Sequence, residues 1–282
     1  MKNNNLFSYQ PKNPNQKIWR VCPDPKSNFI VLEIRTVKEK LNKETRQKNS
    51  SQLLILDSQK KEVVATAKME ATQTLLHFFD KTILLSEIDF QNVMPLAKGL
   101  QALNMDFEII WQLEEVSYYG VIEEEGQNEN KAKVAFSLQS NYYSVPLNFS
   151  TQENEIEAQQ ENYSNLKSKV KQYFYSTHEY STNHTNYTVI SDFIFDKTSQ
   201  KAQNSIFYTE NESYLICSYL INNENQENST YLLCTDKSGN LKNHFLIKTL
   251  KEENIKNPQE IILMENKILW IDENDFFFRN LK

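Results

Sequence analysis

The chain is a succession of short runs rich in branched and aromatic residues, each closed by a polar turn. Lys17-Ile18-Trp19-Arg20-Val21 and Phe29-Ile30-Val31-Leu32-Glu33-Ile34-Arg35 flank a cluster of Pro, Asp, Ser and Asn, which predicts strand, turn, strand. Similar runs occupy 52–57, 62–67, 74–79, 82–90, 100–104, 107–113, 116–123, 131–138 and 142–149. They resume over 187–195, 204–209, 213–221, 230–235, 241–248, 259–264, 267–272 and 275–280. Many short strands at near-regular spacing predict an all-β sandwich, barrel or propeller.

One segment breaks the pattern. Residues 152–174 hold good helix formers without Gly or Pro, and Ile156, Tyr163, Leu166, Val170 and Phe174 fall on one helical face. Acids lead and lysines follow, as the helix dipole favours, with Ser150 or Thr151 as cap. This predicts a helical insert. Residues 1–16 are polar and Pro-containing and read as a flexible arm, which leaves 17–282 as one domain.

Three segments share a hairpin pattern: Leu54 to Val64, Leu100 to Trp111 and Tyr231 to Leu241. In each an apolar strand ends in Asp or Asn, a short polar turn follows, and a second strand begins. The terminal side chains are Asp57, Asn104 and Asp236, each able to close its own turn. Weaker copies end at Asp196 and Asp272. The markers are 47, 92, 40 and 36 residues apart, the 92 being about twice 46, and a period near 40–45 is that of a propeller blade. About six blades are expected, with five to seven allowed.

The segment Gly99-Leu100-Gln101-Ala102-Leu103-Asn104 through Trp111 resembles the blade repeat of quinoprotein-like β-propellers, G-x-x-A-L-D-x-x-T-G-x-x-x-W. Asn104 replaces the Asp, no Thr-Gly follows, and the turn is one residue shorter. The order of pieces along the chain resembles a Bacteroidetes family described as a domain of unknown function. Those pieces are Ile18-Trp19-Arg20 with Phe29 to Arg35, Pro95 to Leu100, Leu215 to Tyr219 and Tyr231 to Cys234. That resemblance implies a class and carries no activity, cofactor or site residue with it.

Composition narrows the function. Average usage would give about twenty glycines, and the chain has 4. GxGxxG, Walker A and GxSxG are all absent, so phosphate-loop and elbow-nucleophile enzymes lose their signature. The net charge of -6 argues against nucleic acid as a partner. Cys22, Cys217 and Cys234 are odd in number and form no CxxC, which predicts buried free thiols in a reducing compartment. The first residues lack the apolar core of a signal peptide, and no apolar run approaches the length of a membrane span. A cytoplasmic protein is expected.

Each chemical candidate has a plain structural alternative. Glu123-Glu124-Glu125, with Glu114 and Glu115, is the densest acidic cluster and reads as a solvated strand end. His178 and His184 lie in a polar aromatic stretch with only Glu179 as a further ligand, so no metal site is expected. His77 and His244 fall in strands as edge or core residues. Lys167, Lys169 and Lys171 are balanced by Glu153, Glu155, Glu157 and Glu161. Trp19, Trp111 and Trp270 read as packing residues, with ligand stacking open to Trp19 or Tyr118-Tyr119. Glu33 and Arg35 share a strand face, either as a buried pair lining a channel or as a solvent-facing pair, the commoner arrangement.

Trp19, Glu33 and Arg35 are therefore the candidate ligand-binding residues. No catalytic set, cofactor or metal is indicated. The expected function is non-enzymatic binding or scaffolding of a protein or small ligand, with a hydrolase acting at a channel mouth as the alternative.

Overall fold

The structure is a computed structural model that describes residues 6–36, 51–89, 96–124, 131–147, 158–170, 175–222, 227–251, 261–264, 267–272 and 275–281. Among the described residues the fold is all-β, with five antiparallel sheets of four or five strands and two short helices. The chain divides into two compact units, Pro11–Gln172 and Met1–Gln10 with Tyr173–Lys282.

Strand β1 (Leu6–Tyr9) belongs to the second unit. The first unit is three successive meanders. Sheet one is β2 (Gln16–Pro23), β3 (Phe29–Thr36), β4 (Ser51–Asp57) and β5 (Glu62–Met69). Sheet two is β6 (Gln73–Phe79), β7 (Thr82–Asp89), β8 (Leu96–Leu103) and β9 (Ile109–Glu114). Sheet three is β10 (Ser117–Glu124), β11 (Lys131–Leu138), β12 (Asn141–Pro146) and β13 (Gln159–Glu161). The inner strands read as continuous apolar runs because both of their faces are covered. Val31, Leu53 and Ile55 of sheet one meet Leu75, Phe78, Ile83 and Leu85 of sheet two in one core cluster.

Helix α1 (Tyr163–Lys169) follows sheet three. Asn162 caps it, its side-chain oxygen accepting the Ser164 N–H at 3.0 Å. Of the helix expected over 152–174, the described residues show Tyr163–Lys169, about two turns. Gln159–Glu161 form a strand instead, pairing with Tyr142, Tyr143 and Ser144 of β12. The expected stripe survives in part: Leu166 is fully buried against Ile122 and Ala135, with Val170 packed beside it. The expected caps Ser150 and Thr151, with Ile156 and Phe174, lie outside the described residues.

The second unit holds sheets four and five. Sheet four is β15 (His178–Tyr180), β16 (Gln203–Glu210), β17 (Tyr214–Asn222), β18 (Glu227–Asp236) and β19 (Leu241–Lys251), and β14 (Tyr175–Ser176) precedes it. Sheet five runs β14, β20 (Ile261–Met264), β21 (Lys267–Asp272), β22 (Asp275–Asn280), β1. Ile216, Leu232 and Cys234 pack against Ile261, Ile268 and Trp270 between these two sheets. Within the segment 1–16 expected to be a flexible arm, Leu6–Tyr9 pair with Phe276–Arg279, and Phe7 buries its ring 6.4 Å from that of Phe276.

The run 187–195, expected as a strand, is part of helix α2 (Tyr187–Thr198). Thr188, Val189 and Ile190 carry strand propensity. However, Tyr187, Ile190 and Ile194 recur at helical spacing and bury against Ile206, Cys217 and Tyr219 of sheet four. Packing overrides propensity here. Asp196 therefore sits in a helix and marks no hairpin.

The three stronger hairpin markers behave alike, while the turn after Asp272 lies outside the described residues. Asp57 accepts the N–H groups of Gln59 and Lys60, Asn104 those of Asp106 and Glu108, and Asp236 those of Ser238 and Asn240. In each case the following strand then carries one extra residue in a bulge, Val64, Ile110 or Lys242. The first strand of each sheet in the first unit is bulged too, at Trp19, Leu76 and Tyr119. The repeat is thus written in the hydrogen-bond ladder as well as in the side chains.

Few of the left-handed turn positions are glycine. Gly239 has φ 79°, while Lys61, Asp80, Lys81, Phe107, Glu115, Gln139, Ser140, Ser199 and Asn204 all have positive φ. Among the described residues no helix is long and apolar enough to cross a membrane.

Candidate functional site

Trp19, Glu33 and Arg35 come together at the β2–β3 pair. Ile18 pairs with Ile34 and Arg20 with Glu33, so Trp19 is the extra residue of a bulge. A bulge turns its side chain out of the regular alternation. Trp19 is 55% exposed, whereas Trp111 and Trp270 are buried at 1% and 4%. The Arg35 guanidinium lies over the Trp19 ring, 4.9 Å from its centroid.

Arg35 is fixed from behind. Its Nε donates to the Glu33 carboxylate, and its Nη2 donates to the Gln73 carbonyl at 3.4 Å. Glu33 is fully buried and accepts two further bonds, from the Thr74 hydroxyl at 3.0 Å and the Leu75 N–H at 2.8 Å. Arg20 adds a bond to the Leu75 carbonyl at 2.9 Å. Of the two arrangements open for the pair, the carboxylate adopts the buried one while the guanidinium reaches the surface.

Gln73 continues from this platform into a cleft of about 270 Å³ on sheet two. Its amide donates to Gln101 at 3.1 Å, and Gln101 donates to Gln112 at 3.4 Å. This ladder points a row of amide groups along the cleft. Glu87, Lys98, Glu114 and Glu115 complete the polar lining. Lys98 is the bulge residue between β7 and β8, and its ammonium is held by Asp89 at 3.5 Å. Glu87, Glu114 and Glu115 have no ion-pair partner among the described residues. Gly99 forms the floor, where a Cβ would collide with the Leu113 carbonyl.

A second carboxylate hub lies at the other end of β6. Asp24 is fully buried and accepts from the N–H groups of Lys26, Asp80 and Lys81 at 3.0 Å and from the Ser27 hydroxyl at 2.7 Å. Lys26 in turn reaches Glu123 at 2.6 Å. The side chain of Glu123 is only 7% exposed, which corrects the expectation of a solvated strand end. Glu125 lies outside the described residues.

His77 is buried, and burial lowers its pKa to about 4, with the Asp24 charge opposing the shift. His244 is half-buried, is likewise lowered by burial, and shares a 2.8 Å hydrogen bond with the Tyr219 hydroxyl. His184 accepts the Asn186 N–H at 3.1 Å, and His178 is exposed. Among the described residues no group of three or more His, Cys, Asp or Glu is placed to hold a metal ion. Cys22, Cys217 and Cys234 are free and buried, and burial pushes each thiol up to about 12.

The cleft and the Asp24 hub were not anticipated from sequence. Gly99 inside an apolar run and the Glu114-Glu115 pair were the available signals for the cleft. For Asp24 it was the Pro-Asp-Pro-Lys-Ser turn, where an Asp closes its own loop. No protein-family model matches the chain, and no curated protein matches it.

Proposed function

We propose that this is a non-enzymatic binding protein whose site is the Trp19–Arg35 platform and the amide-lined cleft beside it. The observation that carries the reading is the join itself. An exposed tryptophan stacks on a guanidinium that a buried carboxylate holds in place, and one backbone bond from Arg35 leads to Gln73 and the cleft. Binding sites combine a rigid aromatic surface with a few fixed polar groups in a concavity. The amide oxygens and carboxylates favour a small ligand rich in hydrogen-bond donors, carried on hydroxyl or amine groups.

The same proposal takes the five sheets as blades of a propeller-like fold, within the expected five to seven. The repeated Asp or Asn turn with its following bulge supports this. It also includes cytoplasmic residence, which the three free thiols support, and membership of the Bacteroidetes family named above.

Titration of the full chain with simple saccharides in one arm and short diamines in the other tests the site. Trp19 emission should respond saturably in one arm, and Trp19→Ala and Gln101→Ala should each weaken binding at least about tenfold. Absence of saturable binding in both arms would overturn the proposal. A hydrolytic reading rests on Glu87, Glu114 and Glu115 sharing the cleft. Turnover of a glycoside that is lost in Glu114→Gln would replace binding with catalysis.

A further inference from the structure

Strands β15 and β16 are hydrogen-bonded neighbours, with Tyr180 opposite Ile206. Such a hairpin needs a loop of only about 2–5 residues. Here residues 181–202 leave the sheet, form α2 and return. The inner face of α2 is used: Ile194 is fully buried, and Tyr187, Ile190 and Phe193 pack with it on sheet four. The outer face is not. Val189 is 69% exposed and Phe195 53% exposed.

Two carboxylates lie on that same outer face. Asp192 and Asp196 are exposed and four residues apart, so they stand one above the other. Neither has a hydrogen bond or ion pair among the described residues. Like charges at this spacing weaken a helix, and two large apolar side chains in water add a second cost. Val189, Asp192, Phe195 and Asp196 therefore form a mixed stripe that nothing among the described residues of its unit relieves. One type of occupant relieves both costs: an apolar surface bearing cations.

We propose that the outer face of α2 docks a basic amphipathic segment of a partner protein. Apolar side chains of the partner cover Val189 and Phe195, and its Lys or Arg residues pair with Asp192 and Asp196. An acidic or purely apolar partner meets unpaired carboxylates there and is disfavoured. This surface is independent of the cleft on sheet two.

The test uses the full chain and a labelled synthetic helical peptide with Leu on one face and Lys on the other. Saturable binding is expected, and it should weaken with added salt. Phe195→Ser, and Asp192→Asn combined with Asp196→Asn, should each reduce affinity at least about tenfold. Asp106→Asn, an exposed acid of the other unit, should leave affinity unchanged. All substituted side chains are exposed, so circular dichroism should show each variant folded like the parent. Absence of binding, or equal binding by all variants, would overturn the proposal. Light scattering showing a dimer that Phe195→Ser converts to a monomer would overturn it as well, by assigning the face to a second copy.

Discussion

The Glu33 carboxylate accepts the backbone N–H of Leu75 at 2.8 Å, tying the second strand of sheet one to the first strand of sheet two. The same carboxylate holds Arg35 and the Thr74 hydroxyl. Removing it strands a guanidinium, a hydroxyl and an N–H in a buried place. Glu33→Ala should cost about 3–5 kcal/mol, whereas Glu33→Gln, which keeps an acceptor, should cost about 1–2 kcal/mol. Urea unfolding of the two variants beside the parent measures the difference. Equal costs would show that the acceptor kept by Gln contributes nothing and that the charge alone carries the effect.

Asp24 clamps the opposite end of β6 through the N–H groups of Asp80 and Lys81. Asp24→Asn turns one accepting oxygen into a donor facing donors. A loss of about 2–3 kcal/mol follows, with faster hydrogen exchange at amides 80 and 81. Exchange confined to protection elsewhere would separate this clamp from the stability of the unit.

Trp19 is the exposed member of the three tryptophans. Trp19→Phe should shift emission toward the blue, because the remaining indoles are buried, and should change stability by less than about 0.5 kcal/mol. An unchanged spectrum would place Trp19 in an apolar setting and remove it from the candidate site.

His77 gives the fold an acid limb. In the folded chain its pKa falls to about 4 through burial, so between pH 6.5 and pH 4 the unfolded chain binds the additional proton. Stability is complete above the unfolded value and declines as pH falls through that window. The loss attributable to His77 between pH 7 and pH 5 is about 2 kcal/mol. His244 is shifted in the same direction, so the comparison is His77→Gln against the parent at both pH values. Parallel decline of the two would refute the assignment.

Gln139 and Ser140 have φ of 47° and 68° at the β11–β12 turn. A two-residue hairpin turn with both φ positive favours Asn-Gly. Gln139→Asn with Ser140→Gly should raise stability by about 1 kcal/mol, or the melting temperature by about 2 °C. A lower melting temperature would mean that these side chains hold the turn in some other way.

The strands were legible because their residues are. Runs such as Ile30 to Ile34 and Leu53 to Leu56 are buried on both faces, and Asp57, Asn104 and Asp236 close their turns as their side chains dictate. Helix α1 was legible in part, from the stripe that holds Leu166 and Val170, whereas helix α2 was not. Thr188, Val189 and Ile190 favour a strand in isolation, and only Ile206 and Tyr219, distant in sequence, make that segment a helix. Trp19, Glu33 and Arg35 could be chosen by residue type. Their assembly depended on a bulge that no alternation pattern foretells, and on Gln73 from the next sheet. With so few glycines, Asp, Ser and Asn take left-handed positions, as their short polar side chains allow. In the structure Lys, Gln, Glu and Phe also hold left-handed positions, their turns being fixed by the ladders on either side.

Strand β1 imposes an order on biosynthesis. Leu6 lies opposite Arg279 and Tyr9 opposite Phe276, so β1 pairs with a strand translated much later, after the whole of the first unit. At cellular elongation rates the interval is on the order of tens of seconds. The three sheets between Pro11 and Gln172 contain only strands from their own stretch of chain and are able to form while the ribosome is still working. Sheet five has to wait. Throughout that interval Phe7 has no Phe276 to cover it, and β1 has no β22 to pair with.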